Sequence, residues 1–165
     1  MCRAIRQRDL STKINFLQDV VGDSQYDFLI MTFCDSIFED SDLKFFFQGF
    51  DVEVMAALMK RLLNITFQSS SRIDIFDEDT RSKIVLRNYA LFEMGLNEKQ
   101  FEKLESHFEF ALRDAWLDAE LVDECKQRFS DLRKVFQMEG KEFEHAATAN
   151  RVVACQMILA AASSS

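Results

Sequence analysis

The chain has 165 residues, 48% of them apolar and 29% charged, with no proline and four glycines. That balance excludes a disordered or collagen-like chain and suits one globular domain whose helices run without their usual breakers, so an all-α fold is expected. A formal net charge of −8 disfavours nucleic acid as a partner. No apolar run approaches the ~20 residues of a membrane span, because the stretch from Val152 to Ala162 is too short and contains Gln156.

The first residues, with Arg3, Arg6 and Arg8, are basic but lack the apolar segment of a secretory signal, and read either as the remnant of a targeting arm or as a solvated tail. Tyr26, Leu29, Ile30, Phe33, Cys34 and Ile37 then fall on one helical face, with Asp23 or Ser24 placed to cap its start. Val52, Met55, Met59, Leu62, Leu63 and Thr66 repeat that spacing behind Asp51, whose carboxylate can accept from the first free amides. From Gln68 to Phe76 the chain is polar; Ser69, Ser70 and Ser71 beside Arg72 suit a surface loop, with phosphorylation as the functional alternative.

A third helix is expected from Asp77 to Met94, closed by Gly95. Asn97 and Gln100 form a capping-box pattern ahead of a stripe of Phe101, Leu104, Phe108, Ala111, Leu112 and Ala115. A fifth helix enters at Asp118 and carries Leu121, Cys125, Phe129, Leu132 and Phe136. After Gly140 an amphipathic segment places Phe143, Ala146, Val153, Met157 and Ala160 roughly on one face, and Ala160 to Ser165 reads as a fraying helix end or as the place where a longer chain was cut.

Few residues carry site chemistry. There is no Gly-rich phosphate loop, HExxH or CxxC. The acidic triplets Asp40-Ser41-Asp42 and Asp77-Glu78-Asp79 lack the glycine and the terminal glutamate of a calcium loop and suit turns or helix starts. Four scattered cysteines, Cys2, Cys34, Cys125 and Cys155, show neither metal-ligand spacing nor a disulfide framework, which points to reduced thiols in a cytosolic or organelle-matrix compartment. With only His107 and His145 and no glycine-rich turn, a nucleophile–histidine set is not expected, and the chain reads as a non-enzyme.

Three stretches together resemble the truncated-haemoglobin family over about Ile14 to Phe136. Phe16 to Gly22 is similar to that family's short first helix and glycine turn; the ungapped run from Phe33 to Asp51 is similar to its "FYDRVLADPRLAPFFAGVD" kind of stretch; and Gly95-Leu96, Phe101 and Glu105-Ser106-His107 are similar to its "GI…HF…EHL" pattern. The resemblance implies a two-over-two helical sandwich over 14–138, preceded by the basic arm 1–13 and followed by an extra C-terminal helix and tail over 139–165.

It also implies a vestigial haem pocket. The family's pocket phenylalanine corresponds to Phe46, or to Phe47 if the register slips by one; its distal tyrosine to Cys34; its two further distal positions to Met55 and Met59; its propionate-binding position to about Leu58; and its proximal histidine to Leu91. Leucine has no lone pair for iron, and a thiol is a weaker donor than a phenol. Ligation from Met55, Met59 or Cys34 is the alternative chemistry; Tyr89, two residues from Leu91, points some 200° away from it on a helix.

Loss of the cofactor would leave a hole that something must fill. With 17 phenylalanines in the chain, Phe45, Phe46, Phe47, Phe50, Phe67, Phe76 and Phe92, together with Met55 and Met59, are the expected filling. The expectation is therefore a haem-free globin-like structural, interaction or regulatory module, docking another protein or a second copy through the segment from Lys141 to Ala162, with a small apolar ligand as a variant; the alternative is a haem protein for oxygen or another small gas with non-histidine ligation.

Overall fold

Short polar side chains set most of the helix starts. The computed structural model describes residues 15–68, 72–94, 96–139 and 159–160, except for the side chain of Phe92. Eight helices run through 16–139: α1 Phe16–Val21, α2 Asp23–Glu39, α3 Ser41–Lys44, α4 Val52–Thr66, α5 Glu78–Arg87, α6 Tyr89–Glu93, α7 Glu98–Asp114 and α8 Ala119–Glu139. The described residues contain no strand, so the all-α class holds for them. The basic arm, Cys2, Ser69 to Ser71, Gly95, His145, Cys155 and most of the expected C-terminal helix lie outside the described residues.

Asn15, Asp40, Asp51, Asp77 and Asn97 each accept from free amides at the start of the helix that follows, which removes orphan donors that burial would otherwise penalise. Both acidic triplets are such helix starts. Asn97 and Gln100 complete the expected capping box, and Asp118 accepts from the amide of Leu121 at 2.9 Å.

Two expectations are corrected. The start of α2 is capped by neither Asp23 nor Ser24: Gly22, at φ 88°, both ends α1 and opens α2 with no side-chain cap. The chain turns within that one residue, in a left-handed conformation that a residue with a Cβ rarely adopts. The single helix expected over 77–94 is broken at Asn88, whose amide is shared between the carbonyls of Ile84 and Val85 and whose Nδ2 donates to Ile84 at 3.1 Å. A side chain that competes for the helix's own carbonyl interrupts it without proline or glycine.

The helices close around aromatic rings. Phe101 meets Phe136 at 4.6 Å between centroids and Phe108 meets Phe129 at 4.9 Å, so α7 and α8 run antiparallel with a phenylalanine every two turns on each. Phe33 of α2 touches both Phe108 and Phe129, and Phe67 at the end of α4 touches Phe108. α2 is antiparallel to α7 as well: the Gln25 side chain donates to the carbonyl of Ala115 at one end, and Asp40 meets His107 at the other. The most extensive contacts are those of α2 with α7 and of α7 with α8, followed by α2 with α4 and α1 with α2; α8 meets α5 and α4 over smaller areas.

At the turn into α8, Trp116 has φ 58° and is 92% exposed, its amide donating to Arg113. An L-residue in that left-handed conformation carries about 1–2 kcal/mol of strain, and here the residue is also a large apolar one left in water.

Candidate functional site

Cys34, Met55, Met59 and Leu91 come from three separate helices, α2, α4 and α6, and all four are 0% exposed within one continuous apolar core. Leu58, at the position where the resemblance implies a polar partner for propionate, is buried too. Burial pushes the Cys34 thiol up to about 12, with Asp35 adding to the effect and Lys60 opposing it, so the group is a neutral thiol rather than a thiolate donor. Cys125, also buried and free, behaves the same way. Of the two phenylalanines in question, Phe47 is wholly buried, whereas Phe46 is only partly buried at the edge of the core.

The expected aromatic filling is corrected in part. Phe47, Phe50 and Phe67 are buried, but Phe45 is 59% and Phe76 84% exposed, and neither fills the interior. Phe76 precedes α5, in a turn outside any helix face, so no neighbouring stripe draws it inward. The rings that do fill it are those of the Phe33–Phe67–Phe101–Phe108–Phe129–Phe136 cluster. Surface grooves of about 460, 490 and 290 Å³ are lined by described residues, and Cys34, Met55, Met59 and Leu91 line none of these three.

Haem requires an axial donor and a slot. The residues at these positions do not fit it: Leu91 offers no lone pair, Cys34 is held as a thiol, Leu58 offers propionate nothing, and the two thioethers are packed into the core. Among the described residues there is no group of three or more His, Cys, Asp or Glu able to hold a metal ion.

Polar groups that an apolar-stripe reading passes over are buried in α8. Arg128 is 1% exposed, with its guanidinium 4.8 Å from the Phe16 ring and 5.8 Å from the Phe67 ring, and its Nη2 donates to Glu124 at 2.7 Å. Asp131 is 4% exposed and accepts a two-pronged bond from Arg72 at 2.7 and 2.8 Å. The signal for Arg128 lies in its spacing, since it falls between Cys125 and Leu132 on the buried face.

His107 Nε2 lies 2.7 Å from Asp40 Oδ2, joining α7 to the corner between α2 and α3. Asp40 also accepts from the amides of Asp42 and Leu43, and Lys103 stands 3.6 Å away. Partial burial works against the charged carboxylate, but the bonds from His107 and the two amides, with Lys103, outweigh it and hold this carboxyl below its ordinary range. Asp40 therefore adds stability that is complete above the ordinary carboxylate range and is lost as pH falls through the lowered value. Asp40→Asn keeps a capping side chain and removes the charge; it is expected to cost about 1–2 kcal/mol at neutral pH, with the difference from the parent shrinking below about pH 4. Urea unfolding of both proteins across pH checks this, and a difference that does not change with pH contradicts it.

No family model, curated protein or solved structure matches this chain. Among the described residues no helix is long and apolar enough to cross a membrane.

Proposed function

We propose that this chain is a haem-free, globin-like interaction module that serves as a subunit of a larger assembly. One observation carries the reading: at the positions where the truncated-globin resemblance implies iron ligands, Cys34, Met55, Met59 and Leu91 are sealed inside an apolar core with no histidine or carboxylate among them. The helix order supports it, with a short α1, a long α2, a one-turn α3, then α4, a broken α5–α6 pair, and long α7 and α8. The contacts of α2 with α4 and of α7 with α8, joined by the extensive α2–α7 contact and a small α4–α8 one, are in keeping with it. With the four positions buried, function passes to the outer surface and to the segment from Lys141 to Ala162, whose sequence spacing predicts an apolar face suited to another subunit or a second copy.

Titration of the purified protein with haemin tests the interior. The expected spectrum is that of free haemin at every ratio. A saturable, one-to-one Soret shift that disappears on changing Met55, Met59 or Cys34 would establish the alternative, a haem protein with non-histidine ligation. Purification from the native source tests the assembly: a stoichiometric complex containing this chain supports it, and a lone red monomer overturns it.

A further inference from the structure

We propose that the groove of about 490 Å³ between α4 and α5 binds a small organic anion, an oxyanion carried on a compact apolar body, through Lys83 and Arg87. Its size falls within the range of small-molecule sites, and its make-up has the mixture such sites need, an apolar floor with a few convergent polar groups. The floor is Ile65, Ile73 and Ile84, the last 1% exposed.

The charges point to the ligand. Lys83 and Arg87 are four residues apart on α5, so they project from the same face, and both line the groove. Like charges at that spacing repel. Among the described residues most cations are matched: Lys60, Arg72, Arg81, Lys103, Arg113, Lys126, Arg128, Arg133 and Lys134 each sit in an ion pair, whereas Lys44, Arg61, Lys83, Arg87 and Lys99 do not, and of these only Lys83 and Arg87 line the groove. Lys83 and Arg87 belong to no ion pair among the described residues; Lys83 acts on the Asp77 carboxylate only at longer range, and Arg87 donates to the amide oxygen of Gln68 at 3.3 Å.

The third cation of the groove, Arg72, is already committed to Asp131 and is fixed as part of the wall. Asp74, the one carboxylate lining the groove, accepts from the amide of Phe76; with Arg72 cancelled by Asp131, Asp74 against Lys83 and Arg87 leaves one net positive charge in all. A guanidinium and an ammonium one helical turn apart can share the oxygens of a carboxylate or a phosphate monoester, and the isoleucines then take the carbon body. The proposal does not depend on whether the core binds haem, because none of the groove's lining residues is among Cys34, Met55, Met59 and Leu91.

The test is titration of the full chain, followed by NMR and calorimetry, with octanoate and hexyl phosphate, and with octanol and inorganic phosphate as the two halves taken separately. Saturable one-to-one binding of octanoate or hexyl phosphate is expected, with shifts centred on Ile65, Ile73 and Ile84, and whichever anion binds names the head group. The double variant Lys83→Gln/Arg87→Gln is expected to weaken that binding at least tenfold while its circular dichroism stays that of the folded parent. No saturable binding by either anion, equal binding of octanol or of inorganic phosphate, or binding unchanged in the double variant overturns the proposal.

Discussion

Leu91→His is expected to give a colourless, weakened protein. The substitution restores the donor that the truncated-globin resemblance implies at this position, yet Leu91 is 0% exposed and surrounded by core. Placing an imidazole there forfeits the burial of a leucine and desolvates a polar ring, together about 3 kcal/mol. To admit haem the core would also have to open. At ~24 cal/mol per Å³, holding even ~300 Å³ empty costs about 7 kcal/mol, comparable to the whole stability of an ordinary domain. The burial of the porphyrin and one iron–imidazole bond would together have to offset the opening of the packed core before any colour appeared. Absorbance after haemin addition, paired with urea unfolding, separates the outcomes, and a five-coordinate Soret band in this variant would show that the slot persists.

Phe108→Ala is expected to be the most damaging single truncation in the interior, at about 4 kcal/mol. Phe108 stacks on Phe129 at 4.9 Å and touches Phe33 at 5.5 Å and Phe67 at 6.1 Å, so its removal strips contacts from α2, the end of α4 and α8 at once. Core phenylalanine-to-alanine changes fall in the range of ~3–5 kcal/mol, and a ring with neighbours on three other elements leaves a cavity that none of them can collapse into alone. For a chain of this size the melting temperature should fall by about 10 °C. Phe76→Ala, at a ring 84% exposed, should change stability by less than about 0.5 kcal/mol. Thermal unfolding of the pair decides which phenylalanines hold the interior; equal effects would contradict the assignment.

These two residues also mark how far the amino-acid sequence can be read. Phe108 was legible because an amphipathic stripe repeats every three or four residues and the capping box at Asn97 fixes where α7 begins. Leu91 was reached only through the truncated-globin resemblance, and its burial is read from the structure. The break at Asn88 was not legible, because it depends on one side-chain amide winning a carbonyl from the backbone, and asparagine does this only in some contexts. The burial of Arg128 was missed for a different reason. Its charge argues for solvent, and only the assembled structure places the rings of Phe16 and Phe67 and the carboxylate of Glu124 around it. The exposure of Phe45 and Phe76 shows the same limit, since abundance of an apolar residue says how much there is to bury and not which copies are buried. The groove between α4 and α5 brings together residues from Ile65 to Arg87, across a turn and two helices, and no local pattern announces such a meeting.

Trp116 is the only tryptophan in the chain and stands almost wholly in water at the turn between α7 and α8. Its intrinsic fluorescence is therefore already that of a solvated indole, red-shifted and open to iodide quenching, and will barely change when the interior melts. Unfolding of this protein has to be followed by circular dichroism, or by an indole moved inward with Trp116→Phe as the silent background.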